Sequence, residues 1–120
     1  MSSWVWIGCA VLGAAGAIVR AETAAAMTAR LGARFPWGTL TVNLTGALML
    51  GLLHGSGIGG RTLVLAGAAF LGAMTTFSTW MLETLRLSTD RPAAAAANVG
   101  GQLAAGLALV ALGNALGSLV

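Results

Sequence analysis

Charged side chains are scarce in this 120-residue chain, in which aspartate, glutamate and arginine make up 8% and lysine is absent. With 58% hydrophobic residues, so few charges cannot cover the surface of a water-soluble domain. We therefore expect an integral membrane protein. The single cysteine, Cys9, excludes an intrachain disulfide and argues against a cysteine-based metal or redox site.

The side chains that an enzyme or a nucleic-acid interface would need are also missing. The chain has one histidine, His54, and no pair of carboxylates in the middle of an apolar run. Its net charge of +3 comes from six arginines near the ends of apolar runs, where arginine acts on membrane topology. The sequence predicts neither an enzyme nor a nucleic-acid-binding protein. The first segment lacks the basic start of a cleaved signal peptide.

Long charge-free runs are abundant. Four of them approach or exceed the roughly 20 residues that span a bilayer, and they predict transmembrane helices at about 4–26, 37–56, 62–86 and 92–118. Pro36 precedes the second helix and Pro92 opens the fourth, where a missing N–H costs least. Because the connections are short, residues 1–120 are expected to form one all-α transmembrane domain.

The arginines predict an orientation in the membrane. Arg61 falls alone on one side, whereas the connections between helices one and two and between helices three and four carry Arg20, Arg30, Arg34, Arg86 and Arg91. The positive-inside rule places these five inside and both termini outside. Such a bias favours a single orientation of the chain.

Small residues predict close helix packing. Four short helices are too few to enclose a hydrophilic path, so an oligomer is expected. Among the 18 glycines, Gly113 and Gly117 form a GxxxG pair, and Ala68 with Gly72 forms a second small-residue pair. Pairs of this kind more often pack helices within one subunit than between subunits.

Polar residues at membrane depth usually face a cavity or a partner, because they are costly in hydrocarbon. Asn43 lies one turn after Thr39 in "PWGTLTVNLTGALMLG", and a lone asparagine there is more often a clamp between helices than a ligand site. The stretch "GAMTTFSTWMLE", residues 72–83, has four hydroxyl residues within five positions. This density predicts a break in the third helix, which a membrane tolerates only inside protein or beside water.

These two segments, together with "GAAGAIVR" at residues 13–20, resemble the Fluc-type fluoride channels, also called the CrcB family, over all four helices. The resemblance implies a multi-pass protein of a prokaryotic inner membrane that lets cytoplasmic fluoride escape passively. It also implies an antiparallel dimer with two narrow fluoride pores. By motif position it assigns Asn43, Phe77 and Trp80 to the pore, and carbonyl groups of Gly72 and Thr75 to a structural Na⁺ that is not transported. Oxygen ligands suit such a hard cation.

Ser78 and Thr79 are the candidate hydroxyl donors beside these two aromatics. A small anion loses on the order of 20 kcal/mol of hydration in a low-dielectric site, so several donors must replace its water. Aromatic ring edges carry partial positive charge and attract an anion more weakly than arginine does. Weak donors also allow the ion to leave.

Four positions depart from the family pattern. Trp80 replaces the usual Phe, and its N–H could hold fluoride longer or its ring could block the path. Met81 follows where Ser is common. Asn98 and Gln102 stand where the family often has Tyr and Ser, and with Thr39 they form a candidate polar track.

Two alternatives stay open at this point. A small four-helix transporter of the multidrug type would need an ionisable group at mid-membrane, whereas Glu83 is interpreted as an interfacial ion-pair partner of Arg86 and Glu22 as one of Arg20. The second alternative is a structural subunit of a heterodimeric fluoride channel. The arginine bias predicts a homologous partner of opposite bias in place of a second copy.

Overall fold

The computed structural model describes residues 2–120, which fold entirely into helices and their connections. The helices are α1 (Ser3–Leu31), α2 (Trp37–Gly55), α3 (60–74), α4 (Ser78–Asp90) and α5 (Pro92–Gly117). Most of α3 is a π-helix, Leu63–Leu71, followed by one α-helical turn, Gly72–Met74. The predicted four helices with a break in the third fit this arrangement, in which α3 and α4 are the two halves of the third.

The first helix is longer than predicted. It continues past Arg20 through an alanine-rich segment of strong helix formers and ends at Leu31. Gly32 then adopts a positive φ of 82°, and its N–H donates to the Thr28 carbonyl at 2.9 Å, which is a common way to end a helix. Arg20 therefore lies inside a helix and not in a connection.

Three helical stretches are long and apolar enough to cross a membrane, namely Ser3–Leu31, Gly60–Asp90 and Pro92–Gly117. The second predicted span, α2, has 19 residues, carries Asn43 and His54, and is not one of these three stretches. The Arg91 guanidinium donates to the Arg34 carbonyl. This contact places the α1–α2 and α4–α5 connections at one end of the molecule, as the arginine pattern predicted.

Helices α2 and α5 pack through glycines on both sides, here called the glycine interface: Gly51, Gly55, Gly113 and Gly117. A β-carbon on Gly51 would meet the Val110 carbonyl oxygen, and one on Gly113 would meet the Leu48 carbonyl oxygen. Both approaches are closer than real β-carbons make. The Gly113 and Gly117 pair therefore packs helices within one subunit.

The second small-residue pair lies on the surface. Ala68 and Gly72 are both exposed, and a β-carbon on Gly72 would meet only the Gly67 carbonyl oxygen, at 3.8 Å. Nothing within residues 2–120 covers this pair closely. It remains open to contact with another molecule.

Candidate functional site

The helix break occurs where the hydroxyl-rich stretch predicted it. Helix α3 ends at Met74, Thr75 is extended with φ −87° and ψ 162°, and α4 begins at Ser78. The Thr75 hydroxyl donates to the Leu71 carbonyl at 2.8 Å, and the Thr76 hydroxyl accepts the Thr79 N–H at 3.2 Å. The Thr75 hydroxyl thus adds to the backbone bond that the Leu71 carbonyl accepts from the Thr75 N–H, and the Thr76 hydroxyl replaces a missing helical acceptor for Thr79.

Asn43 on α2 holds the broken backbone with a pair of hydrogen bonds. Its Oδ1 accepts the Thr76 N–H at 2.8 Å, and its Nδ2 donates to the Thr76 carbonyl at 2.9 Å. These bonds satisfy both backbone groups of a residue that has left the helix. Asn43 is therefore a clamp between helices in this structure.

Further hydrogen bonds connect Asn43 across α5 to α4. Asn43 Nδ2 donates to Gln102 Oε1 at 3.0 Å, and Gln102 Nε2 donates to Asn98 Oδ1 at 2.9 Å. Asn98 Nδ2 donates to Thr84 Oγ1 at 2.9 Å. We call Asn43, Gln102, Asn98 and Thr84 the amide network. Asn98 is 0% and Gln102 5% exposed, so both amides depend on these bonds for their polar partners.

The Trp80 indole is tied to α5. Its Nε1 donates to the backbone carbonyl of Asn98 at 2.8 Å. The Trp80 ring meets Phe77 edge to face, with centroids 5.7 Å apart and planes at 88°. Because its N–H is already bonded, Trp80 presents only its ring to any neighbouring anion in this conformation.

A groove of about 1270 Å³ runs along one side of the molecule. Its wall is mostly apolar but carries six polar or aromatic residues of the break region, namely Asn43, Thr75, Thr76, Phe77, Trp80 and Gln102. The Phe77 side chain is 70% exposed on this wall. The structure therefore brings the predicted pore aromatics, Asn43 and Gln102 onto one surface.

Other predicted site residues lie off the groove wall. Ser78 is exposed in the first turn of α4, with its Oγ 3.4 Å from Thr76 Oγ1, and Thr79 follows it. Thr39 is buried one turn before Asn43. Asn98 is buried behind Gln102.

The carbonyl groups of Gly72 and Thr75 suit the predicted cation. In an uninterrupted helix they would accept the N–H groups of Thr76 and Thr79. Here the Thr76 N–H donates to Asn43 and the Thr79 N–H to Thr76 Oγ1. Both carbonyl oxygens are thus released from the helical pattern, and both residues line the groove. Released backbone oxygens are appropriate ligands for Na⁺.

One titratable residue differs from its sequence interpretation, and a second joins two helices. Glu83 Oε1 is buried and has no hydrogen-bond partner, so the expected pairing with Arg86 is not made through this atom. His54 lies in the last turn of α2, with its Nδ1 2.8 Å from Asn114 Oδ1. This contact joins the ends of α2 and α5.

Sequence reasoning assigned no site role to Thr76 or Thr84. A signal for Thr76 was present, because threonine at a helix start commonly accepts an N–H from the first turn. For Thr84 the signal was helical spacing, which places it on one stripe with Phe77 and Trp80. In the structure its hydroxyl donates to the Trp80 carbonyl at 2.8 Å, as threonines inside helices often do. Its role depends on Asn98, which only the packing of α4 against α5 brings near.

Comparison with known proteins adds an independent finding. A family model described as "CrcB-like protein, Camphor Resistance (CrcB)" matches residues 7–114. The chain is 46% identical over 111 residues to "Fluoride-specific ion channel FluC 2" of Mycobacterium tuberculosis, covering 92% of this chain and 88% of the relative. It is 50% identical over 126 residues to "Fluoride-specific ion channel FluC 1" of Symbiobacterium thermophilum, covering 96% and 97%.

Proposed function

Because the chain belongs to the CrcB-like family, we propose that it is a fluoride-specific channel through which cytoplasmic fluoride leaves the cell passively, so that fluoride toxicity falls. The chain is a multi-pass membrane protein and not an enzyme. One observation carries the proposal: Asn43 clamps the broken third span beside the exposed ring of Phe77, on the wall of an open groove. The location that goes with this function is the inner membrane of a prokaryotic cell.

The groove wall suits a weakly held anion. Phe77 is exposed there, and Trp80 stands edge to face against it, so ring edges with partial positive charge are available. The hydroxyls of Ser78 and Thr79 lie in the first turn of α4, where the helix dipole also favours negative charge. Fluoride is the permeant ion in this proposal, and these groups replace its water in turn.

A second subunit in the opposite orientation completes the pore in this proposal. The groove is open on one side and is walled by exposed apolar side chains, including Leu50, Leu107 and Val110. The exposed pair Ala68 and Gly72 permits close approach of a partner helix there. Ala68→Leu should therefore weaken dimer formation, measured by cross-linking in liposomes, while leaving the folded monomer intact.

The carbonyl groups of Gly72 and Thr75 are proposed to hold a structural Na⁺ between the two subunits. When bound, the cation supplies positive charge that offsets the cost of bringing anions nearby. The residues of this chain contribute by releasing those carbonyls, since Asn43 and Thr76 take the N–H groups that would otherwise occupy them. Replacing Na⁺ by a large organic cation should lower the thermal stability of the dimer.

The partner is proposed to be a homologous subunit of opposite arginine bias. Five arginines lie on one side of the predicted topology and Arg61 on the other. With Cys9 removed and single cysteines placed at the termini, thiol labelling in whole cells should report one orientation. Labelling from both sides in comparable amounts would instead indicate a homodimer.

A proton-coupled transporter is the second candidate, because Glu83 has a buried oxygen without a partner. Fluoride efflux from liposomes containing the purified chain separates the two functions. A channel gives passive, fluoride-selective efflux that Glu83→Gln leaves independent of the proton gradient. Efflux that requires a proton gradient, or that carries organic cations in place of fluoride, would overturn the channel.

A further inference from the structure

The orientation of each side-chain amide in the amide network is fixed from both ends of the network. At the break, the Thr76 N–H can only donate, so Asn43 must direct its Oδ1 toward it. At the other end, the Thr84 hydroxyl hydrogen is used by the Trp80 carbonyl at 2.8 Å, so Thr84 Oγ1 can only accept. Asn98 must then direct its Nδ2 toward Thr84. The two ends impose the same direction on the network.

In this orientation, every side-chain amide oxygen of the network accepts a hydrogen bond. Asn43 Oδ1 accepts from Thr76, Gln102 Oε1 accepts from Asn43, and Asn98 Oδ1 accepts from Gln102. The Gln102 nitrogen is not fully used in this way, because Nε2 has two hydrogens and donates one within the network. Gln102 lines the groove, so the network offers an uncommitted N–H there while its oxygens are occupied, as an anion requires.

We infer that Thr84 is a positioning residue for anion passage, an inference that rests on the proposed function. Its hydroxyl oxygen holds the Asn98 amide, which in turn holds Gln102 with nitrogen, not oxygen, available beside the groove wall. Without the Thr84 oxygen, the Asn98 amide can turn over, and its Oδ1 then no longer accepts from Gln102. Asn43 still holds the Gln102 oxygen, but the Gln102 nitrogen is no longer held in place beside the groove wall, where its N–H would meet fluoride.

Two substitutions of Thr84 separate positioning from packing. Thr84→Val keeps the shape and removes the hydroxyl, whereas Thr84→Ser keeps the hydroxyl and removes a methyl group. Thr41→Val is the matched control, because the Thr41 hydroxyl donates to the Trp37 carbonyl at 2.8 Å as Thr84 does to Trp80, but the network does not use it. Each variant is first shown to elute as one monodisperse species.

The first measurement is the initial rate of fluoride efflux from liposomes. Thr84→Val should lower the rate by about three- to ten-fold, the factor expected from one neutral hydrogen bond. Thr84→Ser and Thr41→Val should stay within about two-fold of the wild type. A wild-type rate in Thr84→Val, or an equal loss in Thr84→Ser, overturns the positioning role.

The second measurement does not depend on flux. Gln102 is the only glutamine in the sequence, so ¹⁵N-glutamine labelling gives a single side-chain amide signal. In Thr84→Val this signal should shift and exchange its protons faster with water, and in Thr41→Val it should not. If the wild type carries no fluoride, the proposed function fails, and the Gln102 signal still decides whether Thr84 orients the network. A Gln102 signal unchanged by Thr84→Val overturns the inference in either case.

Discussion

The two halves of α5 make contacts of opposite kinds. Its C-terminal half packs Gly113 and Gly117 against the backbone of α2, with no side chain between them. Its N-terminal half bonds Asn98 and Gln102 to α4 and α2 through their amides. Backbone contact at the glycines fixes the distance between α2 and α5. At that distance the polar side chains of the two helices can form hydrogen bonds. Gln102 meets Asn43 at 3.0 Å because the glycine interface sets the position of both helices.

The largest effect is expected when charge enters the polar half. In Asn43→Asp, a carboxylate replaces the Nδ2 that donates to Thr76 and Gln102. Two like charges about 4 Å apart repel by roughly 4 kcal/mol at an effective dielectric constant of 20, which corresponds to a loss of fluoride efflux of more than about 100-fold. Ser118→Asp adds the same charge at an exposed position beyond the end of α5 and away from the groove, so it is the control and should retain efflux. Efflux that survives in Asn43→Asp would contradict the pore assignment.

The next effect concerns the exposed aromatic of the same region. Phe77→Ile removes the polarised ring edge and the edge-to-face contact with Trp80, and should lower fluoride efflux by about ten-fold or more. Because Phe77 is exposed, thermal stability should change little. Phe35→Ile, which alters an aromatic pair with Trp37 away from the groove, should leave efflux unchanged. Equal efflux in the two variants would remove Phe77 from the pore.

Substitutions in the apolar, C-terminal half of α5 should change the stability of the fold. Gly113→Ala places a β-carbon against the Leu48 carbonyl oxygen and should destabilise the fold by about 1–3 kcal/mol, observed as a lower melting temperature in detergent. Gly100→Ala, on the same helix but with no heavy atom near its added β-carbon, should be neutral or slightly stabilising. If both variants melt alike, the close approach of α2 and α5 is wrong.

The smallest effect should come from Trp80→Phe. Sequence comparison with the family predicts that this change preserves or raises fluoride throughput. In the structure the indole N–H is bonded to the Asn98 carbonyl, so its loss costs about 0.5–1.5 kcal/mol of stability. Efflux should then stay within about three-fold of the wild type or rise. A decrease well beyond that would mean that Trp80 is part of the conducting path as it stands.

Local sequence patterns predicted the helices and the helix break. Other features, which they did not predict, depend on contacts between residues far apart in the sequence. The break follows from the residue types at 75–79 and was predicted, as was the transmembrane character of the charge-free runs. The extension of α1 from about residue 26 to Leu31 was missed, because the predicted length was that of a membrane span, whereas helix propensity continues beyond it. The bond from Trp80 to Asn98 was not predictable, since it depends on how α4 lies on α5.

The clamp of Asn43 on Thr76 has a thermodynamic consequence at the proposed cation site. By taking the Thr76 N–H, Asn43 leaves the Gly72 carbonyl without its helical donor. Cation binding and clamp formation are therefore linked equilibria, and linkage is reciprocal. A sodium ion on Gly72 strengthens the clamp by the same free energy with which the clamp tightens sodium binding. Sodium concentration should consequently shift the stability of the break region, an effect that the proposed site predicts without any transport of sodium.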